Sequence, residues 1–441
     1  MSLRYSPRGA TSNAISADVE NAVRTGDLAP GAQLPPVRTL AATLGVSPGT
    51  VATAYQALRQ RGVVSTDGRR GTRVLAKPAT VARSQLRLPV PPGARDLSAG
   101  NPDPAFLPAF GPRLRRLDPE KVLYGAPSTV PELAALARER LAADDVPADH
   151  LTVTSGCLDG IERSLAAHLR PGDAVAVEDP GWHGVLDLLA AMNLRAVPCP
   201  VDPDGLEPDG LAIALHRGAK AVVVTSRAQN PTGASLPRGR AAELREVLDD
   251  FPDVLVVDDD HAGELASEPL HSLAASTDSW AVIRSLSKPF GPDLRCAVLA
   301  GDAETVSRVE GRQWLGARWV STVLQSLVVA LWTDPEVTSL VDQARRTYDA
   351  RRSALLGALA ARGIEAHGTS GLNVWIPVSD ETSAAVRLLE AGWVVAPGQI
   401  FRIASRPGLR VTVTTLEESE APTLAAAIAA ALAPGGRSSL V

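Results

Sequence analysis

Apolar residues near the start of the chain recur at intervals of three and four positions in three successive stretches. This spacing predicts helices over residues 14–25 and 36–44 and a third helix that begins at Pro48. Gly45 has the residue type that commonly ends a helix, and Ser47 is a typical N-cap residue before a proline in the first helical position. The second and third predicted helices are therefore joined by a turn of only three residues.

Two short apolar runs follow the third helix, over residues 63–66 and 72–75, and a glycine-rich basic turn separates them. This pattern predicts a β-hairpin that completes a first domain over residues 1–75. Residues 76–95 show neither a helical nor a strand period and contain four prolines and four basic residues. Such a composition is typical of an extended linker, so we expect a second folded part beyond it.

From residue 96 onward, short runs of almost wholly apolar residues alternate with longer helical patterns such as 158–169 and 241–248. Such runs are typical of parallel strands buried on both faces, and the alternation predicts an α/β sheet covered by helices. The candidate strands are LTVTS, AVAVE, AVVVT, VLVVD, WAVIRS and CAVLA. From about residue 333, a long arginine-rich helix and two further strands predict a smaller α+β part of a domain that covers 96–441.

The composition of the 441-residue chain is that of a folded protein, with 45% hydrophobic and 21% charged residues. Its three cysteines, Cys157, Cys199 and Cys296, are far apart, which argues against a disulfide framework and against a zinc site. The sequence shows no apolar stretch suited to secretion or to spanning a bilayer. We therefore expect a cytoplasmic protein with no metal and no membrane partner.

Charge is distributed unevenly along the chain. Residues 1–75 contain nine arginines, no lysine and four acidic residues, a net charge of +5, whereas the whole chain has a net charge of -5. A basic domain with the order helix, helix, turn, helix and hairpin predicts binding to double-stranded DNA. One helix would enter the major groove and the hairpin would lie beside the phosphates. A small protein-interaction domain is the alternative interpretation.

One lysine at the end of a predicted strand, Lys288, is the strongest single indication of chemistry. Ser285 and Ser287 precede it and Arg295 follows it. Hydroxyl groups and a guanidinium group could there neutralise a phosphate, beside an amine that is able to form a Schiff base. A lysine considered alone is more often a surface charge, so the neighbouring strand ends decide between the two interpretations.

Four more predicted strands end in residues that suit a phosphate-bearing aromatic cofactor. Gly156 and Cys157 join a strand to a helix, where free amide groups bind phosphate. Trp182 could stack on an aromatic ring, and Asn230 could donate a hydrogen bond to an oxygen atom on that ring. The three aspartates before His261 could keep a ring nitrogen protonated. Each motif alone is equally compatible with a cap, a turn or an acidic loop, but together they indicate a cofactor site.

Residues 14–75 resemble the GntR-type winged-helix domain, most clearly in QLPPVRTLAATLGVSPGTVATAYQALRQRGVVSTDGRRGTRVL. The resemblance implies DNA contacts from the P-x-x-R element, from the first turn of the recognition helix and from the hairpin, or wing. The corresponding residues are Arg38, Ser47, Pro48, Gly49, Thr50, Arg69 and Arg70. The recognition helix lacks the basic residue that many members carry just after Ser47, which leaves the base preference open.

Residues 96–432 resemble the fold-type I, aspartate-aminotransferase-like family of pyridoxal 5'-phosphate (PLP) proteins, through the five strand-end motifs. The resemblance implies that Lys288 forms the Schiff base with PLP and that Asp259 pairs with the ring nitrogen. It implies equally that Asn230 contacts the phenolate oxygen and that Trp182 stacks on the ring. The implied phosphate site consists of Gly156, Cys157, Ser285, Ser287 and Arg295.

The same resemblance implies two further contacts and contains one departure. Arg410 matches an arginine that binds the carboxylate of an amino acid, here an amino-acid or amine effector. Tyr124 matches a tyrosine that reaches the phosphate of the neighbouring subunit, which implies a homodimer. His261, in VVDDDHAGEL, occupies a position where the family usually has tyrosine. It could also supply a hydrogen bond as a cofactor-binding residue, but the substitution argues against efficient transamination.

The two resemblances in one chain, in this order, resemble the MocR subfamily of GntR regulators. The expected fold is α/β, with an N-terminal winged helix-turn-helix followed by a fold-type I PLP-dependent transferase-like domain. The expected function is that of a DNA-binding transcriptional regulator that senses PLP or an amino compound through aldimine formation on Lys288. The alternatives are an active aminotransferase with an accessory DNA-binding domain, and a repressor with an empty large domain. The sequence leaves open the operator, the effector, the direction of regulation and whether transamination is turned over.

Overall fold

The computed structural model describes residues 6–25, 27–60, 63–66, 71–74, 83 and 89–433. The predicted wing residues Arg69 and Arg70 and most of residues 76–88 lie outside this part of the chain. The described residues form two compact units. The first contains the described residues up to 74 and the segments 169–174 and 187–196, and the second contains the rest. Each unit has a hydrophobic core of its own.

The first unit has the three helices and the hairpin that the sequence predicts. Its elements are α1 (Ser12–Thr25), α2 (Val37–Leu44), α3 (Pro48–Gln60), β1 (Val64–Thr66) and β2 (Thr72–Val74). Gly45 has a left-handed φ of 66° directly after α2. The hydroxyl of Ser47 accepts a hydrogen bond from the amide of Thr50 at 3.1 Å. Both predicted helix boundaries are therefore confirmed, and β1 pairs antiparallel with β2.

The apolar faces of the three helices enclose the core of this unit, and Ile15, Leu40 and Val51 are wholly buried there. The hydroxyl of Tyr55 on α3 donates a hydrogen bond to the carbonyl oxygen of Pro35 at 2.8 Å. This bond fixes α3 against the segment that leads into α2. The outward face of α3 therefore has a defined orientation relative to the start of α2, as a helix-turn-helix requires.

Eight strands form one large sheet. After the two-residue strand β3 (Arg95–Asp96), they are β4 (His150–Thr154), β5 (Ala174–Asp179), β6 (Arg195–Asp202), β7 (Gly205–Leu206), β8 (Ala219–Val224), β9 (Leu255–Asp260), β10 (Ser279–Ser285) and β11 (Ala297–Gly301). Their order across the sheet is β4-β11-β10-β9-β8-β5-β6-β7. All six predicted strands are present, and β8, β9 and β10 are parallel neighbours.

The prediction that CAVLA forms a parallel strand is wrong, because β11 runs antiparallel to both of its neighbours, β10 and β4. Only the segment 286–296 separates the end of β10 from the start of β11. A parallel return needs a crossover of a dozen or more residues, usually with a full helix, and this connection is too short. The sheet is therefore mixed. Since β11 reverses between them, β4 and β10 run the same way and end at the same edge.

Helices cover this sheet. They are α4 (Gly111–Leu114), α5 (Pro131–Ala142), α6 (Cys157–His168), α7 (His183–Ala191), α8 (Pro208–His216), α9 (Arg238–Asp249), α10 (Ser287–Phe290), α11 (Ala303–Trp314) and α12 (Thr322–Trp332). The helical patterns at 158–169 and 241–248 are confirmed as α6 and α9. Helices α6, α7 and α10 directly follow the carboxyl ends of β4, β5 and β10, so polar residues of several strand ends are brought to one edge.

A smaller α+β part follows, as predicted. It contains α13 (Pro335–Ala360), β12 (Asn373–Pro377), α14 (Glu381–Glu390), β13 (Trp393–Val394), β14 (Ala396–Pro397), β15 (Gly408–Thr412) and α15 (Ala421–Leu432). Strands β12, β15 and β14 form one antiparallel sheet, and β13 pairs in parallel with β3. Arg95, at the end of the predicted linker, thus lies in a strand of this smaller part.

Two further structural findings concern the described residues only. No helix in this part of the chain is long and apolar enough to cross a membrane. No group of three or more histidine, cysteine, aspartate or glutamate side chains is arranged there to hold a metal ion. Cys157, Cys199 and Cys296 are all buried free thiols.

Candidate functional site

Lys288 lies at the edge of the sheet where β9 and β10 end, in the four-residue helix α10. Its half-buried ammonium group donates a hydrogen bond to the carbonyl oxygen of Gly100 at 2.6 Å. The carboxyl group of Asp259 and the ring of His261 are close enough for their pKa values to respond to the lysine charge. The structure thus brings Lys288, Asp259 and His261 together. Gly100, which the sequence analysis did not single out, is a fourth member of the group.

Asp259 is 1% exposed, and its Oδ1 has no hydrogen-bond partner within the part of the chain that the structure describes. Burial raises the pKa of this carboxyl group to about 7, although a hydrogen bond with the Cys157 thiol acts in the opposite direction. An unpartnered buried carboxylate oxygen costs free energy that a donor would recover. The position therefore suits a ligand that offers an N–H group to Asp259.

We expect the Asp259→Asn protein, without ligand, to melt several degrees above wild type at pH 8. The pKa of Asp259 is higher in the folded than in the unfolded chain, so ionisation of this group lowers stability as pH rises from about 4 to about 7. Asparagine cannot ionise, so the difference in melting temperature between the variant and wild type should shrink towards pH 5. About 1 kcal/mol corresponds to roughly 2–4 °C in a large domain. Thermal unfolding followed by circular dichroism at several pH values measures the difference.

Asp258→Asn is the matched control for this experiment. The Asp258 carboxylate accepts hydrogen bonds from the hydroxyls of Ser226 and Ser272, each at 2.7 Å. Replacing it weakens bonds that are already made, so this variant should melt below wild type at pH 8. An Asp259→Asn protein whose melting temperature differs from wild type by the same amount at pH 5 and pH 8 would contradict the prediction.

The predicted phosphate residues meet where β4 joins α6. Gly156 has a φ of +100°, and a Cβ atom there would lie 2.6 Å from Nη2 of Arg295. Arg295 is itself in the left-handed region, with φ 45°, and donates a hydrogen bond to the carbonyl oxygen of Ser155 at 2.7 Å. Helix α6 begins at Cys157, so its positive amino end lies beside this exposed guanidinium group. The arrangement suits an anion.

Ser285 and Ser287 complete this end of the site. Ser285 pairs in register with Ala297, which in turn pairs with Thr154, so the ends of β10 and β4 lie in one row. The hydroxyl of Ser285 accepts a hydrogen bond from the amide of Ser287 at 3.2 Å and contacts the Cys157 thiol. Two serines, a helix amino end and an arginine are thereby gathered from three separate elements.

Asn230 and Arg410 are in direct contact, although 180 positions separate them in the chain. A guanidinium nitrogen of Arg410 donates a hydrogen bond to Oδ1 of Asn230 at 3.0 Å, and another donates to the carbonyl oxygen of Ser98. The guanidinium carbon lies 4.7 Å from the ring centre of Phe401. Arg410 is 2% exposed, so its charge is held in a desolvated position where an anionic group is strongly attracted.

His261 is held by a single backbone contact. Its Nε2 lies 2.8 Å from the carbonyl oxygen of Ala228. Burial, together with the positive charge of Lys288, lowers the pKa of the ring to about 4, so the ring is neutral at neutral pH. A neutral ring that donates from Nε2 to a carbonyl has only an acceptor at Nδ1. A tyrosine hydroxyl could donate at this position, whereas this histidine cannot donate a second hydrogen bond.

Trp182 and Tyr124 are not joined to this group by the contacts that the structure shows. Trp182 is half-buried just before α7, next to Gly181, whose amide donates a hydrogen bond to the carbonyl oxygen of Phe401 at 2.8 Å. Tyr124 is 78% exposed, and the Arg318 guanidinium group lies 4.6 Å from its ring centre. The predicted stacking role of Trp182 and the cross-subunit role of Tyr124 remain predictions.

The sequence analysis missed a buried ion-pair network behind the site. The carboxylate of Asp260 accepts hydrogen bonds from Arg227 at 2.8 and 2.9 Å and from Arg284 at 2.6 Å. Asp144 accepts from the same two arginines on their other side. Burial alone would raise the pKa of Asp260, but the two guanidinium groups hold it far below its usual range. An arginine inside the otherwise apolar run WAVIRS was the available signal of a buried counter-charge.

In the first unit, the predicted DNA-contacting residues share one side of the helix-turn-helix. Arg38 is exposed in the first turn of α2, and Ser47, Pro48 and Gly49 are exposed at the start of α3. Thr50 is half-buried, and its hydroxyl lies 2.9 Å from that of Ser47. Small side chains at the start of α3 allow its backbone to approach a groove closely, and Arg38 supplies a positive charge beside it.

Together, these groups define what the second unit can do chemically. It offers an anion site at Gly156 and Arg295, a buried carboxylate for a ring N–H, and an amine at Lys288. A second guanidinium group at Arg410 lies across from them. This combination fits an aromatic phosphate ester with a basic ring nitrogen, together with a carboxylate-bearing partner.

Both units match known families. Residues 96–428 match the family described as "Aminotransferase class I and II", and residues 11–74 match "Bacterial regulatory proteins, gntR family".

Individual proteins are similar over nearly the whole chain. A vitamin B6 salvage pathway transcriptional repressor, PtsJ of Salmonella typhimurium, is 42% identical over 96% of this chain and 99% of the relative. The pyridoxine biosynthesis transcriptional regulator PdxR of Corynebacterium glutamicum is 27% identical over 77% of this chain and 76% of the relative. The crystal structure of a multiple substrate aminotransferase from Thermococcus profundus has a TM-score of 0.71 at 20% identity, over 80% of this chain and 94% of that one. This last similarity concerns the fold alone.

Proposed function

Because this chain belongs to the MocR subfamily of GntR regulators, with a gntR-family domain before an aminotransferase class I and II domain, we propose that it regulates transcription in response to PLP. In this proposal the first domain binds double-stranded DNA, and the second binds PLP and an amino-acid or amine effector. The protein acts as a homodimer. Binding of the small molecules changes the affinity for DNA by favouring one arrangement of the protein.

One observation carries the proposal: the buried, unpartnered Oδ1 of Asp259 lies beside Lys288 in a chain that also has a basic helix-turn-helix. The residues present fit PLP. Lys288 would hold its aldehyde carbon, Asp259 its ring nitrogen, and Gly156 and Arg295 its phosphate. When bound, PLP supplies an electrophilic carbon that exchanges between amines. The protein's own groups would bind and orient it, and the carboxylate of Asp259 would stabilise a protonated ring nitrogen by accepting its hydrogen bond.

The relatives support PLP as the signal. PtsJ is named for vitamin B6 salvage and PdxR for pyridoxine biosynthesis. A regulator of such genes would report the supply of the vitamin through the same cofactor. The neutral His261, which cannot donate a hydrogen bond at Nδ1, favours a sensing role over rapid turnover.

The test uses the full chain and a DNA fragment from upstream of its own gene. PLP is titrated at a fixed salt concentration of about 0.15 M, since DNA affinity depends steeply on salt. Visible absorbance follows cofactor binding, and fluorescence anisotropy of the labelled DNA follows DNA binding. We expect the protein to become yellow and the DNA affinity to change by about fivefold or more. A protein that shows no aldimine band after unbound PLP is removed, or an unchanged DNA affinity, would refute the proposal.

An aminotransferase with an accessory DNA-binding domain is the second candidate, and one observation favours it. Arg410 is buried beside Asn230, and both Arg410 and Lys288 lie close enough to His261 to lower the pKa of its ring. In this position Arg410 could bind the carboxylate of a substrate as well as that of an effector. Sustained turnover between an amino acid and a keto acid by the full chain would support this function. A single exchange that stops after one equivalent would support sensing.

A further inference from the structure

A cavity of about 560 Å³ lies in the second unit behind the cofactor site. Its walls come from the end of α5, the loop after β9, the ends of α10 and α12, and the first half of α13. Small-molecule sites in proteins typically measure 300–1,000 Å³. Asp259 and Asp260 are neighbours in β9 and face opposite sides of the sheet, so the Asp260 network, and not Lys288, borders this cavity.

The charges around the cavity are balanced. Four arginines and four acidic residues line it. Two of the arginines, Arg227 and Arg284, are 7% and 4% exposed and are already held by Asp144 and Asp260. Because the lining has no excess of either sign, a ligand with a single charge gains little from it. A zwitterion, whose two charges can each meet an opposite partner, is favoured.

Two side chains of the lining, Glu264 and Arg345, can each bind one charge of a zwitterion. Oε1 of Glu264 accepts a hydrogen bond from the indole of Trp332 at 2.9 Å and lies 3.6 Å from Arg140, but its Oε2 has no partner among the described residues. An ammonium group would supply the missing donor. Arg345 pairs with Asp342 at 2.9 Å, with 38% and 44% of the two side chains exposed. Exposed pairs of this kind contribute little, so a ligand carboxylate can replace Asp342 at low cost.

The remaining wall is apolar. It includes Phe290, Leu331, Val337 and Val341, on three different helices. An aliphatic or aromatic body of modest size can bury its apolar surface against this wall. The cavity has groups that can bind both charges of a zwitterion, next to an apolar wall. Its lining therefore suits a small zwitterion with an apolar side chain.

We propose that this cavity binds a free amino acid with an apolar side chain, without a covalent bond, with its ammonium group at Glu264 and its carboxylate at Arg345. The site shares its walls with the cofactor site. Phe290 lies two residues after Lys288, and Arg284 directly precedes Ser285. An amino acid in the cavity therefore contacts the backs of the elements that hold the cofactor, and it gives the protein an effector site separate from Lys288.

The test begins with cofactor-free Lys288→Ala protein, which cannot link covalently to any carbonyl compound at this position. Leucine, valine, methionine and phenylalanine are titrated by calorimetry, with 4-methylpentanoate and 3-methylbutylamine as single-charge analogues of leucine. We expect at least one amino acid to bind. For leucine, each analogue should bind about tenfold more weakly or worse, since each lacks one charge-assisted hydrogen bond.

Variants then locate the binding. Glu264→Gln keeps an acceptor for Trp332 but removes the negative charge, and it should weaken amino-acid binding about tenfold or more. Glu365→Gln, at an exposed glutamate that faces His367, is the matched control and should bind as the parent does. The proposal fails if no apolar amino acid binds or if the single-charge analogues bind as well as leucine. It also fails if Arg410→Gln abolishes binding while Glu264→Gln does not, since the amino acid would then occupy the cofactor site.

Discussion

Purified Lys288→Ala protein is expected to be colourless after incubation with PLP and removal of the unbound cofactor, whereas wild-type protein treated in the same way is yellow. The chain has four lysines, at positions 77, 121, 220 and 288. Of these, Lys288 lies beside the orphaned carboxylate of Asp259, at the edge of the sheet where the anion site also lies. PLP absorbs visible light on its own, but the aldimine band that remains after desalting requires a covalent bond between the cofactor and an amine, so the loss of that band should be complete. Borohydride reduction followed by peptide mass analysis measures the same bond independently.

Lys220→Ala is the control for this experiment. Lys220 is exposed in β8, far along that strand from the polar strand ends. We expect this variant to bind PLP and to be labelled at Lys288 as wild type is. A Lys288→Ala protein that retains the visible band, or wild-type protein labelled mainly at another lysine, would contradict the assignment.

Replacing Asp260 with alanine should cause the largest loss of stability. Arg227 and Arg284 are almost wholly buried, and Asp260 is their fully buried counter-ion. Removing one partner of a buried ion pair costs roughly 3–5 kcal/mol, and here Asp144, which is 24% exposed, compensates only part of the two buried positive charges that remain. Denaturant unfolding of the cofactor-free protein measures this change. Because the pKa of Asp260 is held far below its usual range, the loss should be the same at pH 5 and pH 8.

A second ion pair provides the control. Arg240 and Asp202 also form a two-bond pair, at 2.8 and 3.0 Å, but their side chains are 15% and 31% exposed. Asp202→Ala should therefore cost only about 1 kcal/mol or less. Equal losses for the two variants would show that burial does not set the cost of removing Asp260. A loss for Asp260→Ala that grows between pH 5 and pH 8 would contradict its assigned ionisation.

The elements of this fold follow closely from local sequence signals. Gly45 and Ser47 mark helix boundaries because one residue tolerates a left-handed backbone and the other accepts an amide hydrogen bond, and both properties are local. The direction of β11 could not be predicted in the same way. An apolar strand buried on both faces has the same composition whichever way it runs, so only the length of its connection distinguishes the two directions.

The features of the site also divide into those that local sequence signals predict and those that they do not. Gly156, Asp259 and Lys288 were identifiable because each lies within three residues of the end of a strand, and these strand ends meet at one edge of the sheet. The contact between Asn230 and Arg410 spans two parts of the domain, and no periodicity in the sequence relates them. The cavity at Glu264 and Arg345 has no motif at all. It results from the packing of α13 against α12 and against the loop after β9, which depends on the whole fold.

The hydrogen bond from Lys288 to Gly100 has one further consequence. Gly100 follows Arg95 by five positions, and the predicted linker to the DNA-binding domain ends at Arg95. If the Lys288 nitrogen formed a further covalent bond to a carbon atom of a ligand, it would carry fewer hydrogens than an ammonium group. Formation of that bond would therefore weaken its hydrogen bond to the Gly100 carbonyl oxygen. Lys288 is thus hydrogen-bonded to a residue that lies only five positions after the end of the predicted linker. A change in the bonding of Lys288 would therefore act on the segment next to the linker without passing through the sheet.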